Sequence, residues 1–344
     1  MIGGRDLAAS LRPRWNAGRI EHRMRDSCDR PFVSRGTSHA DADRMRTTIS
    51  GFIQTHPALS YFVLTFAISW GGVLTIIGPA NLLGTKEEFE RLLPIWVPAL
   101  VLGPSVAGIL LTGLVAGRAG LREYRSRLLK WRVGARWYAV AILTAPLYFT
   151  AAGLALSAFS PDFLPGIFTT DDKASLLLRG MAVALVAGIF EELGWTGFAV
   201  PALRRRYSPV ATGLIVGVLW GVWHFLPKIW GAAAFDLVAY MPADLLCAVV
   251  GLTGFRILMV WAYDRTGSLL IGILMHLGLT ASTLILQPLV TGAPLVTVGL
   301  VLAAAPWVIV AAVAMVRHRR SPRGRPGSGT KPEARWSVSA APTR

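Results

Sequence analysis

The sequence predicts an all-α protein, a polytopic membrane bundle of about eight transmembrane helices with both termini in the cytoplasm. The chain has 344 residues, of which 53% are hydrophobic and only 16% are charged, whereas soluble domains carry about 25% charge. Its apolar residues come in long runs, many near the ~20 residues that a helix needs to cross a bilayer. Its basic residues fall in alternate connections between these runs, as expected when the cytoplasmic loops carry Lys and Arg.

Eight apolar segments form one predicted membrane domain over residues 57–316. Their predicted bounds are 57–79, 92–117, 137–159, 176–201, 209–226, 238–263, 268–288 and 293–316. The second and fourth connections are strongly basic, whereas the third is acidic and the seventh is uncharged. Losing or adding one segment would place basic loops on both faces of the membrane, so the charges support a count of eight.

Residues 1–56 and 317–344 are basic segments outside the predicted bundle. The first is rich in Arg, has no long apolar run and so lacks the apolar core of a signal peptide; Met45 is an alternative start. We expect both segments to be disordered. Basic tails beside an anionic leaflet account for this charge, so no nucleic-acid partner is expected. The predicted location is the cell membrane, as a multi-pass protein.

Four ionisable residues lie inside apolar segments: Glu191, Glu192, His224 and His276. At about 1.5 Å per residue, Glu191, His224 and His276 lie ~18, ~22 and ~12 Å from the cytoplasmic ends of their helices. These depths fall in or near the middle third of a hydrocarbon core about 30 Å thick. A charge there costs at least about 2.5–3.5 kcal/mol, and the cost falls when such groups face each other. We therefore expect the four residues to line an internal polar cavity.

Neighbouring residues on the same helices support this cavity. Trp220 precedes His224 by one turn, and Thr280 follows His276 by one turn, so each pair shares a helix face. Arg256 in the sixth segment either extends towards the headgroups or pairs with a glutamate. A stripe of glycines at four-residue spacing predicts that the fifth helix packs closely against a neighbour: Gly213, Gly217 and Gly221.

The four residues are suited to hydrolysis. Two imidazoles and a carboxylate are a natural ligand set for a divalent metal such as Zn²⁺, and a second carboxylate could take a proton from a bound water. Without a metal, a glutamate and a histidine could still activate water as general bases. The HExxH and GxSxG patterns of other hydrolases do not occur in the sequence.

Three segments, EELGWTGFAVPAL, LWGVWHFLP and TGSLLIGILMHLG, resemble the motifs of the CPBP family, the CAAX protease and bacteriocin-processing (Abi) intramembrane metalloproteases. The family motifs are EExxxR, FxxxH, and a histidine followed four residues later by a small polar residue, often Asn. Their order and spacing match from Glu191 to Thr280, within a predicted core of about residues 176–288.

The resemblance implies an eight-helix bundle whose site lies in the membrane and opens towards the cytoplasm. It implies that Glu191 is the water-activating base and that Glu192, His224 and His276 complete the site as metal or water ligands and supports. The metal expected from the residue types is Zn²⁺. The implied substrate is a membrane-associated or lipidated protein or peptide. Eukaryotic relatives trim prenylated CAAX proteins, and bacterial members are linked to bacteriocin maturation and self-immunity.

Three positions depart from the family motifs. Thr196 stands where the first motif has arginine, Trp220 replaces the Phe of the second, and Thr280 replaces the Asn of the third. The loss of the arginine removes a partner for Glu192, for which Arg256 is a candidate replacement. The predicted function is an intramembrane metal-dependent endopeptidase. A non-catalytic member with a bacteriocin-immunity or partner-binding role is the alternative, and a proton-relaying transporter is less favoured because inverted halves are not evident.

Overall fold

The computed structural model describes residues 50–78, 81–82 and 84–320. Within these residues, eight helices are long and apolar enough to cross a membrane, and no strand occurs, which confirms the predicted all-α polytopic bundle. The predicted disorder of residues 1–56 and 317–344 stays a prediction, because most of these two segments lies outside the described residues. In the described part of the first segment, residues 50–55 are helical and belong to a unit separate from the one that starts at His56.

The eight helices are labelled in chain order. They are α1 (Pro57–Ile77), α2 (Lys86–Leu128), α3 (Ala135–Ser157), α4 (Lys173–Arg204), α5 (Pro209–Ala234), α6 (Val238–Thr266), α7 (Leu269–Leu286) and α8 (Ala293–Arg320). A 3-10 turn, Pro161–Phe163, and a one-turn helix, Gly166–Thr169, connect α3 to α4. Most predicted bounds agree within a few residues, and the larger differences occur at α2 and α5.

Helix α2 is longer than predicted because the basic stretch after its apolar part, predicted as a loop, is also helical. The predicted end at residue 117 coincides with a break, since Gly117 has φ 57° and ψ −151°. A positive φ is unfavourable for a residue with a Cβ, so glycine permits the change of direction. The second part of α2 then runs to Leu128, and its Arg127 donates a hydrogen bond of 2.9 Å to the hydroxyl of Tyr263 on α6.

Helix α5 is longer than predicted because it continues past an interruption at His224. Its two parts are Pro209–Trp223 and Phe225–Ala234. Pro227 has no N–H to donate to the carbonyl of Trp223, and that carbonyl accepts a hydrogen bond of 3.0 Å from Nε1 of Trp70 on α1. Because an unsatisfied carbonyl is costly inside a membrane, this bond stabilises the interruption at His224.

The helices pack in pairs around the middle of the bundle. Helix α5 packs against α6, α4 and α3 against α7, α1 and α4 against α2, and α8 against α6. Many apolar side chains on the outside are more than half exposed, among them Leu147, Leu178 and Val308. An exterior of this kind is expected to face lipid.

The glycine stripe of α5 is confirmed as its packing face against α6. A Cβ at Gly213, Gly217 or Gly221 would come within 2.7 Å of a Cα atom of α6, closer than packed side chains allow. The absence of side chains at these three positions therefore brings the backbone of α5 against the part of α6 that carries Arg256.

Replacing Gly217 with Ala is expected to lower the free energy of unfolding by about 1–3 kcal/mol, the usual cost of overpacking. The new Cβ would lie 2.5 Å from the Cα of Thr253 and 3.2 Å from the Cβ of Arg256. Unfolding of the purified protein in detergent measures the effect. Gly71→Ala is the matched control, because a Cβ there has nothing within 4 Å. Equal stability of the two variants would contradict the close contact between α5 and α6.

Candidate active site

Helix α4 brings its two glutamates to the centre of the bundle through a close approach to α7. A Cβ at Gly188 would lie 3.1 Å from the carbonyl of Ile273 and 3.1 Å from the amide of Leu277, both on α7. Gly188 lies one turn before Glu192 on the same face of α4, and His276 on α7 immediately precedes Leu277. The missing side chain at Gly188 therefore allows Glu192 to reach His276.

Directly after the glutamates, α4 contains one wide turn of π-helix, Trp195–Ala199. Such turns are rare and are found frequently at functional sites. Gly194 precedes the turn, and a Cβ there would collide with the carbonyl of Pro104 on α2 and the hydroxyl of Tyr61 on α1. Thr196 lies within the turn, on the same side of α4 as Glu192.

Glu192 is fully buried, and both of its carboxylate oxygens are engaged. Arg256 donates two hydrogen bonds, from Nη1 to Oε2 at 2.8 Å and from Nη2 to Oε1 at 2.9 Å. The hydroxyl of Thr196 donates to Oε2, and Nδ1 of His276 lies 2.7 Å from Oε1. Arg256 is therefore the partner of Glu192 and is not turned towards the headgroups, which settles the alternative that the sequence left open.

Glu191 is 3% exposed and has different partners, as its separation of about 100° from Glu192 around the helix predicts. Nε1 of Trp220 donates a hydrogen bond of 2.8 Å to its Oε2. Nε2 of His276 lies 3.9 Å from its Oε1, too far for a direct hydrogen bond. At such a separation a water molecule can bridge two polar atoms.

The hydrogen bonds of the two histidines distinguish the two nitrogens of each ring. Nδ1 of His276 lies 2.7 Å from Oε1 of Glu192, a carboxylate that Arg256 also binds, so Nδ1 donates this bond. Nδ1 of His224 lies 2.8 Å from the backbone oxygen of Trp220, which can only accept, so this Nδ1 donates as well. In the neutral form of either ring, Nε2 is therefore the nitrogen that can take a proton.

Trp220 contacts most of the other site residues. The guanidinium of Arg256 lies over its ring at 4.1 Å, within the range of a cation–π interaction, and the ring of His276 meets it edge-on at 4.9 Å. The sequence placed Trp220 only on the same helix face as His224. Its hydrogen bond to Glu191 depends on the side-chain rotamer, for which the sequence holds no signal.

A mostly apolar cavity of about 700 Å³ lies beside these residues. Glu191, His224, His276 and Thr280 all line it, whereas Glu192 and Arg256 do not. These four residues come from α4, α5 and α7, so three of the four predicted ionisable residues and Thr280 share one cavity. Glu192 lies outside the cavity and contacts His276.

The cavity also contains an ion pair that the sequence analysis did not identify. Nζ of Lys228 lies 2.7 Å from Oδ2 of Asp244, and both residues line the cavity. Their side chains are 32% and 40% exposed, so this part of the wall reaches the surface of the bundle. The two residues belong to different helices and are 16 positions apart, and no sequence pattern connects them.

The arrangement does not fit the predicted metal ligand set of Glu192, His224 and His276. The oxygens of Glu192 are occupied by Arg256, Thr196 and His276, and an arginine-paired carboxylate has little negative charge to offer a cation. Among the described residues, no group of three or more His, Cys, Asp or Glu side chains is placed to hold a metal ion. The Nε2 atoms of the two histidines could act as ligands, but a third ligand does not join them.

Comparison with known proteins identifies the part of the chain that carries these residues. Residues 173–282 match the family model described as type II CAAX prenyl endopeptidase Rce1-like. The chain is 37% identical over 68 residues to CAAX prenyl protease 2 of Methanococcus maripaludis. The alignment spans a fifth of each chain, 20% of this one and 20% of the relative. The matched region, residues 173–282, contains Glu191, Glu192, His224 and His276.

Proposed function

We propose that the chain is an intramembrane endopeptidase of the CPBP family of CAAX proteases, whose Rce1-like family model matches residues 173–282. Its substrate is a membrane-associated or lipidated protein or peptide, and the reaction is hydrolysis of a peptide bond. The observation that carries the proposal is the pair formed by Glu191 and His276 beside an apolar cavity. A carboxylate and a neutral imidazole at this separation suit the activation of a water molecule.

Glu191 is the general base of the proposed reaction. The attacking water would lie between Oε1 of Glu191 and Nε2 of His276, which are 3.9 Å apart and both act as acceptors. Glu191 takes the proton as the water oxygen attacks the peptide carbonyl, and it can return the proton to the leaving amine. Trp220 fixes Glu191 through its hydrogen bond of 2.8 Å, so the carboxylate does not have to be ordered during the reaction.

Glu192 and Arg256 act as positioning residues. The hydrogen bond of 2.7 Å that Nδ1 of His276 donates to Oε1 of Glu192 fixes the orientation of the ring and the tautomer of its neutral form, in which Nε2 accepts. Arg256 holds Glu192 through two hydrogen bonds and neutralises its charge. The arginine that the family motif places one turn after Glu192 is thus supplied by α6. The departures at Thr196 and Thr280 were the reason to consider a non-catalytic role, and this replacement weakens the part of it that rested on Thr196.

The reaction proposed here proceeds without the divalent metal that the residue types and the family resemblance predict. Such an ion would supply a Lewis acid and lower the pKa of a bound water, but the residues present do not assemble three ligands for it. Metal analysis of the purified protein, with His224→Ala and His276→Ala beside the wild type, is expected to find no stoichiometric metal. A stoichiometric ion in the wild type that both variants lose would restore the three-ligand site.

Cleavage of a peptide library by the purified protein in detergent or nanodiscs tests the proposed function. The library should contain apolar peptides with and without a lipid-modified cysteine, because the lining of the cavity is compatible with either. We expect cleavage at defined positions within at least one of the two classes. Absence of cleavage in both classes by folded protein would favour the immunity or partner-binding role.

A further inference from the structure

The two ends of the bundle differ sharply in charge. At the basic end, the connections α2–α3, α4–α5 and α6–α7 contact each other: the hydroxyl of Ser268 donates to the carbonyl of Lys130 at 2.6 Å, and Arg204 pairs with Asp264 at 2.8 Å. Apart from Glu123 and Asp264, the charged residues of this end are cations: Arg118, Arg122, Arg125, Arg127, Lys130, Arg132, Arg136, Arg204, Arg205, Arg206 and Arg265.

At the opposite end, the remaining connections contact each other and are more acidic. The rings of Phe89 at the start of α2 and Phe235 after α5 lie 5.6 Å apart, and the ring of Tyr240 lies near Gly292. The acidic residues there outnumber the basic ones, which are Lys86, Arg91, Lys173 and Arg179. The acids are Glu87, Glu88, Glu90, Asp162, Asp171, Asp172 and Asp236.

The cavity lies in the half of the bundle next to the opposite end. Along α4 it is lined from Ala182 to Glu191, and along α5 from Trp220 to Lys228, so its lining starts at the catalytic residues and continues away from the basic connections. The other helices that line it contribute their halves nearest the same end: Leu93 to Val101 of α2, Tyr148 and Phe149 of α3, Asp244 to Leu252 of α6, His276 to Leu284 of α7 and Leu295 to Ala303 of α8.

The cavity also reaches the surface of the bundle at this end. Among the residues that line the cavity, Leu93 on α2 and Val183 and Val186 on α4 are 40%, 42% and 40% exposed. The side chains of Lys228 and Asp244 are partly exposed as well. The cavity wall therefore reaches the outside of the bundle both at its end and on its side between α2 and α4.

The half of the bundle next to the basic end is filled. Tyr124 of α2 packs with Leu269 and Ile273 of α7 in a buried cluster, and its hydroxyl donates to the carbonyl of Leu193 on α4 at 2.6 Å. Together with the contacts between the basic connections, these side chains separate Glu191 from the solvent on the basic side.

We propose that the active-site cavity opens on the extracytoplasmic face of the membrane and takes an apolar, extended polypeptide segment from that face. Cytoplasmic loops carry the excess of Lys and Arg, so the basic end is the cytoplasmic one. The cavity is at the other end. The cytoplasmic opening implied by the family resemblance and the cytoplasmic position of the basic loops cannot both hold for this chain, and the charge difference between the ends favours the loops. The nature of the substrate rests on the proposed function, whereas the orientation of the cavity does not.

Cysteine labelling in intact cells tests the orientation. The full chain, with Cys28 and Cys247 replaced by Ala, receives one new cysteine at a time, and the exposed Thr291 and Ser126 report the opposite and basic ends. A membrane-impermeant maleimide is expected to label Thr291→Cys in intact cells and Ser126→Cys only after permeabilisation. Thr283→Cys in the cavity wall should follow Thr291→Cys. The reverse pattern would overturn the proposal.

Activity in sealed vesicles then tests the substrate side. Right-side-out and inside-out vesicles receive the same impermeant, apolar peptide library from outside. Cleavage confined to right-side-out vesicles is expected, and cleavage confined to inside-out vesicles would contradict the proposal. If neither orientation nor detergent-solubilised protein cleaves, the proposed peptidase function fails, while the labelling pattern still decides on which face the cavity opens.

Discussion

Glu191→Gln is expected to lower kcat/KM for peptide cleavage by about 10²–10⁴-fold, the range for loss of a general base. Glutamine keeps the size of the side chain, and its amide oxygen can still accept the hydrogen bond from Trp220, but it cannot take a proton from water. The variant should therefore unfold at close to the wild-type temperature. Cleavage kinetics and thermal unfolding of the same preparation measure the two quantities.

Glu87→Gln is the matched control for this substitution. Glu87 is an exposed carboxylate in the first turn of α2 and does not line the cavity, so its neutralisation should leave cleavage unchanged. If Glu191→Gln cleaves as fast as this control, Glu191 is not the base.

Arg256→Met is expected to lower the free energy of unfolding by about 3–5 kcal/mol, the typical cost of removing one partner of a buried ion pair. Arg256 and Glu192 are both fully buried, so the substitution leaves a carboxylate without a counter-ion in the interior of the membrane bundle. Chemical unfolding in detergent measures the loss, and the yield of folded protein provides a second readout. Arg256→Met combined with Glu192→Gln should lose clearly less than Arg256→Met alone, because the unpaired charge is then absent.

An arginine at position 196, where the family motif has one, is expected to compensate in part for the stability lost in Arg256→Met. Thr196 lies one turn after Glu192 and already donates a hydrogen bond to it, so Thr196→Arg should place a guanidinium beside Glu192 from α4. In the Arg256→Met background, Thr196→Arg is therefore expected to recover part of the lost stability. In the wild-type background the same substitution should be destabilising, because it adds a second buried cation. A failure to recover stability would show that the site depends on Arg256 for more than charge.

Most of the fold could be predicted from the sequence because a bilayer imposes a simple length and polarity rule on a spanning helix. The rule fails where a helix leaves the apolar region. The basic part of α2 after Gly117 was predicted as a loop because polarity, and not helix propensity, decided the boundary. The end of α5 was missed because Pro227 indicates a helix end, whereas Trp70 from α1 satisfies the carbonyl that Pro227 leaves free.

The composition of the site was predictable, but its internal connections were not. Glu191, Glu192, His224 and His276 stand out because ionisable residues are costly in apolar segments. The partner of Glu192 could not be decided from the sequence, since Arg256 lies 64 positions away on another helix. The end of the bundle at which the cavity opens is equally inaccessible from the sequence, because it depends on how the helices diverge.

The distinct roles of the two adjacent glutamates are tested most directly by one paired measurement. Cleavage rate and unfolding free energy should be determined side by side for Glu191→Gln and Glu192→Gln. Glu191→Gln is expected to lose cleavage while keeping its stability, and Glu192→Gln is expected to lose stability because Arg256 is left buried without its counter-ion. Wild-type cleavage by Glu191→Gln, or wild-type stability of Glu192→Gln, would contradict this division between a catalytic and a positioning carboxylate.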